Sequence, residues 1–179
     1  MTTKTSGGFR GLLWVSVALC TLGIVVASYL VTKRFTGGSL ACTRWAQCDV
    51  VNNSMYSQIY GVPICVIGLA GYLFLLGLTF TAMWTEGRAQ RQILLLSFVL
   101  SLGGVGFSAY LTYLEIYVIE ALCAWCVASA VIITGLAVVA GFAVRIAPQH
   151  RAQIAPATGR RWRPLPQGVA HGRKADGRD

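Results

Sequence analysis

The sequence predicts an all-α membrane protein, a four-helix transmembrane bundle with a long extracytoplasmic loop that carries a short amphipathic capping helix. Three observations predict it. Of the 179 residues, 55% are hydrophobic and only 12% charged, a balance foreign to soluble domains of this size. Four stretches, residues 12–31, 62–84, 92–114 and 121–144, lack any charged residue and each holds at least 20. A helix rising about 1.5 Å per residue needs about that many to cross about 30 Å of hydrocarbon. The remaining charge is one-sided, at +9 net.

Taken in order, residues 1–11 read as a cytoplasmic N-terminus and residues 12–145 as the bundle. The helices fall at about 12–32, 62–84, 92–115 and 121–145, with a loop at 33–61. Lys4 and Arg10 precede the first apolar run in the manner of a signal peptide. That run outlasts the usual apolar region of about 7 to 15 residues, and Leu30-Val-Thr-Lys-Arg34 offers no small-x-small cleavage site, so the helix is read as retained. Residues 146–179 form a basic tail holding Arg151, Arg160, Arg161, Arg163, Arg173, Lys174 and Arg178 among prolines and glycines. Such a composition buries too little surface to offset its ordering entropy and predicts a disordered cytoplasmic tail. Its charge is accounted for by the positive-inside rule and nearby anionic lipid, not by nucleic acid.

Four spans place both termini on one side. Of 15 Lys and Arg residues, twelve lie on the side of the termini and three, Lys33, Arg34 and Arg44, on the other. This bias puts the termini in the cytoplasm and the loop outside, where disulfides persist. The later connections are short, about seven and six residues, and make tight antiparallel hairpins. The first outer loop is about thirty residues long. Within it Val50, Val51, Met55 and Ile59 recur at helical spacing, with Asn52, Asn53 and Gln58 between, and predict the capping helix. Gly61 and Pro63 end it, the proline suiting the first turn of the next helix. Gly68, Gly71, Gly103, Gly104, Gly106 and Ser108 are expected to let helices approach closely.

The chemistry rests on cysteine. Cys123 and Cys126 lie one turn apart at the start of the fourth helix, on one face. Unpaired N–H groups and the helix dipole favour a thiolate there, as a thiol-disulfide exchange site needs. Cys42 and Cys48 form a second pair in the outer loop. Zinc and static staples remain as alternatives, although Cys42-x5-Cys48 is wider than common zinc spacing. No metal site is expected. Cys20 and Cys65 lie within apolar helices and read as packing residues. His150 and His171 are the only histidines and both sit in the tail, so no embedded bis-histidine haem is expected. A nucleotide fingerprint is also missing. A lipid-soluble quinone is the acceptor left for a redox reading, in a pocket beneath the capping helix and near Cys126.

These features together resemble the vitamin K epoxide reductase family, in particular its bacterial members. The resemblance is carried by Cys42 and Cys48, by Ser54 six residues on, by the run Ser54-Met-Tyr-Ser-Gln-Ile-Tyr-Gly-Val-Pro63, and by Cys123-Ala-Trp-Cys126, and it spans about residues 12–144. It implies a quinone-linked enzyme of a bacterial plasma membrane that makes disulfides in a thioredoxin-fold partner of the DsbA type and passes the electrons to menaquinone or ubiquinone. Cys126 would face the quinone, Cys123 would exchange with Cys42, and Cys48 would receive the partner's attack. Ser54 would bond a quinone oxygen or place the cap, and Tyr56 would line the pocket. Asp49 and Trp125 also fit the bacterial pattern, with no role derived. The thioredoxin-like domain fused to many bacterial members is not expected here, so the partner would be a separate protein. The rival is a non-enzymatic tetraspan scaffold with structural disulfides or a zinc-binding cysteine cluster.

Overall fold

A computed structural model describes residues 4–42 and 46–147, and the expectations for the basic tail and for Arg44 lie outside them. The described chain is a helical bundle. Helix α1 is Lys4–Thr36, α2 is the short Cys48–Asn53, and Met55–Ser57 makes one 3-10 turn. Two-residue strands β1 (Gln58–Ile59) and β2 (Val62–Pro63) pair antiparallel before α3 (Ile64–Trp84), α4 (Gly87–Tyr117) and α5 (Ala124–Ile146). Four helices are long and apolar enough to cross a membrane, at Gly8–Thr36, Ile64–Trp84, Gly87–Tyr117 and Ala124–Ile146.

The helices run past the apolar stretches that predict them. Helix α1 continues through Lys33 and Arg34 in its last turn, where cations complement the helix dipole. It stops at Gly37, whose φ of +65° is the left-handed geometry that closes many helices. The second span starts at Ile64 instead of residue 62, because Val62 and Pro63 are held in the hairpin. The fourth starts at Ala124 instead of residue 121, because Cys123 is extended at its N-cap.

The capping helix is shorter than its apolar spacing predicts. Helix α2 ends at Asn53, and Ser54 turns extended, with φ −65° and ψ 157°. The Ser54 hydroxyl donates to Val51 O at 2.8 Å, a local bond that competes with helix continuation. Tyr60 and Gly61 both have positive φ, 51° and 80°, and so make the turn of a tight hairpin. Only Val51 of the expected apolar face is buried, and Met55 is 93% exposed.

In the bundle α1 packs against α3 and α5, and α4 against α5 and α3, so the four spans form a ring with α1 diagonal to α4. One core cluster, including Cys20, Leu30, Tyr72 and Ile133, extends to the end where the cysteines gather. A smaller one, with Phe9, Leu13, Ala82 and Leu94, closes the opposite end. The expected close-approach glycines divide. A Cβ on Gly104 would meet Ile133, whereas Gly68, Gly71, Gly103 and Gly106 have nothing within 4 Å. Gly68 and Gly71 leave a cavity instead of a contact.

Candidate functional site

At the cysteine end the loop is tied down by bonds between residues remote in sequence. Asp49 Oδ1 accepts from Leu40 N–H at 2.8 Å, folding the loop back on itself. Trp125 Nε1 donates to Ala41 O at 2.9 Å and its ring lies against Tyr29, centroids 4.8 Å apart. The Tyr29 hydroxyl in turn accepts from Ala41 N–H at 3.0 Å. Arg34 donates to Asn52 O at 2.8 Å and to Asn53 Oδ1 at 2.7 Å, holding α2 against the end of α1. Asp49 and Trp125 thus acquire a role that the sequence left blank.

Gln47 N–H donates to Leu122 O at 2.9 Å. Each of these residues immediately precedes a cysteine, so the bond ties the backbone next to Cys48 to the backbone next to Cys123. Both are sealed in the same core cluster, Cys48 at 1% exposure and Cys123 at 0%. Cys42 and Cys48 are joined as a disulfide with Cα atoms 6.2 Å apart, while Cys123 and Cys126 are free thiols. Cys42 is half-buried, whereas Cys48 is closed off from solvent.

Cys123 caps α5 from an extended backbone. The Cys126 thiol, with help from the N–H groups of Cys126 and Trp125, holds the Cys123 thiol below its ordinary range, against the opposing effects of burial and the Glu115 carboxylate. The helix N-terminus thus favours a thiolate, as the sequence spacing predicts.

Beneath the cap a cavity of about 320 Å³ opens among the four spans. Its walls are mostly apolar, from Val26 and Leu30 of α1, Gly68, Gly71 and Leu75 of α3, Gly104 and Phe107 of α4, and Ile133 of α5. Few polar groups reach it. Cys126, Ser54 and Tyr56 line it, as does the Tyr72 hydroxyl, bonded to Ser129 O at 3.0 Å. A concave apolar chamber with a few polar points is the usual form of a small-molecule site. Cys65 packs against the core cluster, as expected of it, and also lines the cavity, whereas Cys20 is fully buried in the core.

Sequence reasoning passed over Glu115. It lies one residue beyond the third apolar stretch, yet it is only 3% exposed. Its Oε2 accepts from Cys123 N–H at 3.1 Å, and it lines the cavity together with Cys126. The signal available was an acidic residue eight positions before Cys123 on the last turn of a membrane helix, where carboxylates are rare. Among the described residues, no three His, Cys, Asp or Glu side chains group in a way that would hold a metal.

Residues 14–141 match the Vitamin K epoxide reductase family. The match covers well over half of the chain and includes both cysteine pairs, the cap and the cavity. With its four membrane-crossing helices and paired thiols, this chain therefore belongs to the vitamin K epoxide reductase family and is a membrane oxidoreductase of disulfide chemistry.

Proposed function

We propose that this protein oxidises a separate, extracytoplasmic thioredoxin-fold partner of the DsbA type and passes the electrons through its two cysteine pairs to a membrane quinone. The observation that carries the reading is the Gln47–Leu122 backbone bond, which ties the residue before Cys48 to the residue before Cys123 and so supports exchange between the two pairs.

The steps follow from burial. A partner thiolate attacks Cys42, the half-buried sulfur, and Cys48 leaves. The partner's second thiol then resolves that mixed disulfide and departs oxidised. When Cys123 and Cys126 are themselves joined, the freed Cys48 thiolate attacks Cys123, and Cys126 leaves as the thiolate. Closing the Cys42–Cys48 bond again expels Cys123, and the inner pair is left reduced. Direct exchange across the buried contact shields these thiolates from competing reactions.

The cavity fits a quinone. Its volume and apolar walls suit a flat ring with an isoprenoid chain, Cys126 stands on its wall, and Ser54 and Tyr56 close it from the cap. Bound there, menaquinone or ubiquinone supplies a two-electron, two-proton acceptor. The Ser54 hydroxyl already donates to Val51 O, so it offers a quinone oxygen no free proton and its first role is to shape the cap. The excess of Lys and Arg on the side of the termini orients the cysteines outward from the plasma membrane.

The test is quinone-dependent oxidation of a reduced DsbA-type protein by Cys123→Ala and Cys126→Ala variants. Turnover should drop to the uncatalysed background in both. Undiminished turnover in either would refute the relay, and no turnover in the wild type would favour the scaffold with static disulfides.

A further inference from the structure

We infer that Glu115 is the proton acceptor for Cys126: its carboxylate takes the thiol proton when Cys126 becomes a thiolate and holds it inside the cavity. The inference rests on the relay proposed above.

A carboxyl group at 3% exposure on a membrane helix is costly and seldom present without a function. Here no basic side chain offsets it among the groups that act on it in the described residues. Its hydrogen-bond donor is the neutral Cys123 N–H. That donor is a fixed backbone group, whereas Cys126, on the wall of the same cavity, carries an exchangeable proton. Glu115 and Cys126 also share the cavity wall, so the proton has a short way to travel.

The other titratable groups around the chamber serve less well. Cys65 and Tyr72 come from α3 and Tyr56 from the cap. The Tyr72 hydroxyl is engaged by Ser129. Of the nearby charges, Asp49 is occupied by Leu40 N–H and Arg34 by Asn52 and Asn53. Cys123, at the start of α5, is the remaining neighbour and is itself a redox sulfur.

The transfer balances. The Cys126 S–H bond breaks, an O–H bond forms on Glu115, and the electron pair stays on sulfur. Joining Cys123 and Cys126 as a disulfide releases two electrons and two protons to an acceptor of the quinone class, and Glu115 carries the proton that began on Cys126.

A purely structural role is the competing account, because the Cys123 N–H bond also anchors the turn between α4 and α5. The variant Glu115→Gln separates the two, since the amide oxygen can still accept that bond but cannot take up a proton. The readout is a redox-difference infrared spectrum of the purified full-length protein at an electrode, with neither quinone nor partner present. Wild type should show a protonated-carboxyl band that changes with the thiol redox state, shifts in D₂O and is missing from Glu115→Gln. Glu115→Asp should keep the band at a displaced position, which also covers failure of the Gln variant to fold. Turnover in Glu115→Gln should fall by about 100-fold, within the range of general acid–base catalysis, with KM for the partner unchanged. A spectrum without a redox-linked carboxyl band, or an identical band in Glu115→Gln, overturns the inference. A band in a protein that fails to reduce quinone would sink the quinone reading and leave Glu115 in place.

Discussion

The two ends of the bundle are built from the same apolar helices but spend them differently. At the end away from the cysteines, Phe9, Leu13, Ala82 and Leu94 pack together, and Gln90 donates to Ala82 O at 2.9 Å across the short α3–α4 turn. At the cysteine end the spans part around a cavity, and the backbone between them is held by a network of long-range bonds. The first end needs only close packing. The second gives up packing to keep a chamber and a set of thiols in register, so changes there should alter chemistry while changes at the first alter stability.

Trapping sharpens this contrast most. Both Cys42→Ala and Cys48→Ala should abolish turnover, but only Cys48→Ala should retain the partner as a covalent adduct, because Cys42 is the reachable sulfur. An adduct on Cys48 in the Cys42→Ala protein would restore the opposite order.

Filling the cavity comes next. A Gly68→Leu side chain enters space with nothing within 4 Å of a Cβ, and should raise the KM for quinone by about tenfold or more, at about 1.4 kcal/mol per decade. Steady-state kinetics at fixed partner concentration would check it.

The pH dependence follows from Cys123. Its thiol is held below the ordinary range, so the thiolate exists above that lowered value and is lost only as pH falls through it. Replacing Cys126 with Ala removes the largest cause, and the thiolate absorbance of Cys123 should then appear at higher pH. An unchanged or lower midpoint would show that the helix end alone sets it.

Loosening the cap is a smaller perturbation. Trp125→Phe keeps the ring against Tyr29 but loses the bond to Ala41 O, worth about 1 kcal/mol, or about a fivefold change in the closed population. Turnover should fall by no more than that, and limited proteolysis of the loop should quicken.

The smallest effect on activity belongs to the packed end and the core. Leu94→Ala should lower Tm through its cavity, and Cys20→Ala likewise, with both keeping the wild-type KM for quinone. A changed KM in either would mean that the ends are coupled.

Much of this was legible in the chain. Uninterrupted apolar runs forced four spans, and parity alone placed Cys42, Cys48, Cys123 and Cys126 at one end, because hydrocarbon leaves a backbone no other way to satisfy its polar groups. The spacing of Cys123 and Cys126 fixed their shared face at a helix start. Local chemistry, however, misled the reading of the cap, where apolar spacing predicted a longer helix and Ser54 broke it through its own bond to Val51.

What only the tertiary structure decided is which sulfur lies beside which, and who attends them. Gln47 meets Leu122 and Ala41 meets Trp125 across 84 residues in the latter case, and Glu115 reaches Cys123 through a turn reversed at Glu120, φ 53°. Periodicity records the face a residue presents within its own helix. It carries no record of a contact made between elements that meet only after the bundle has closed.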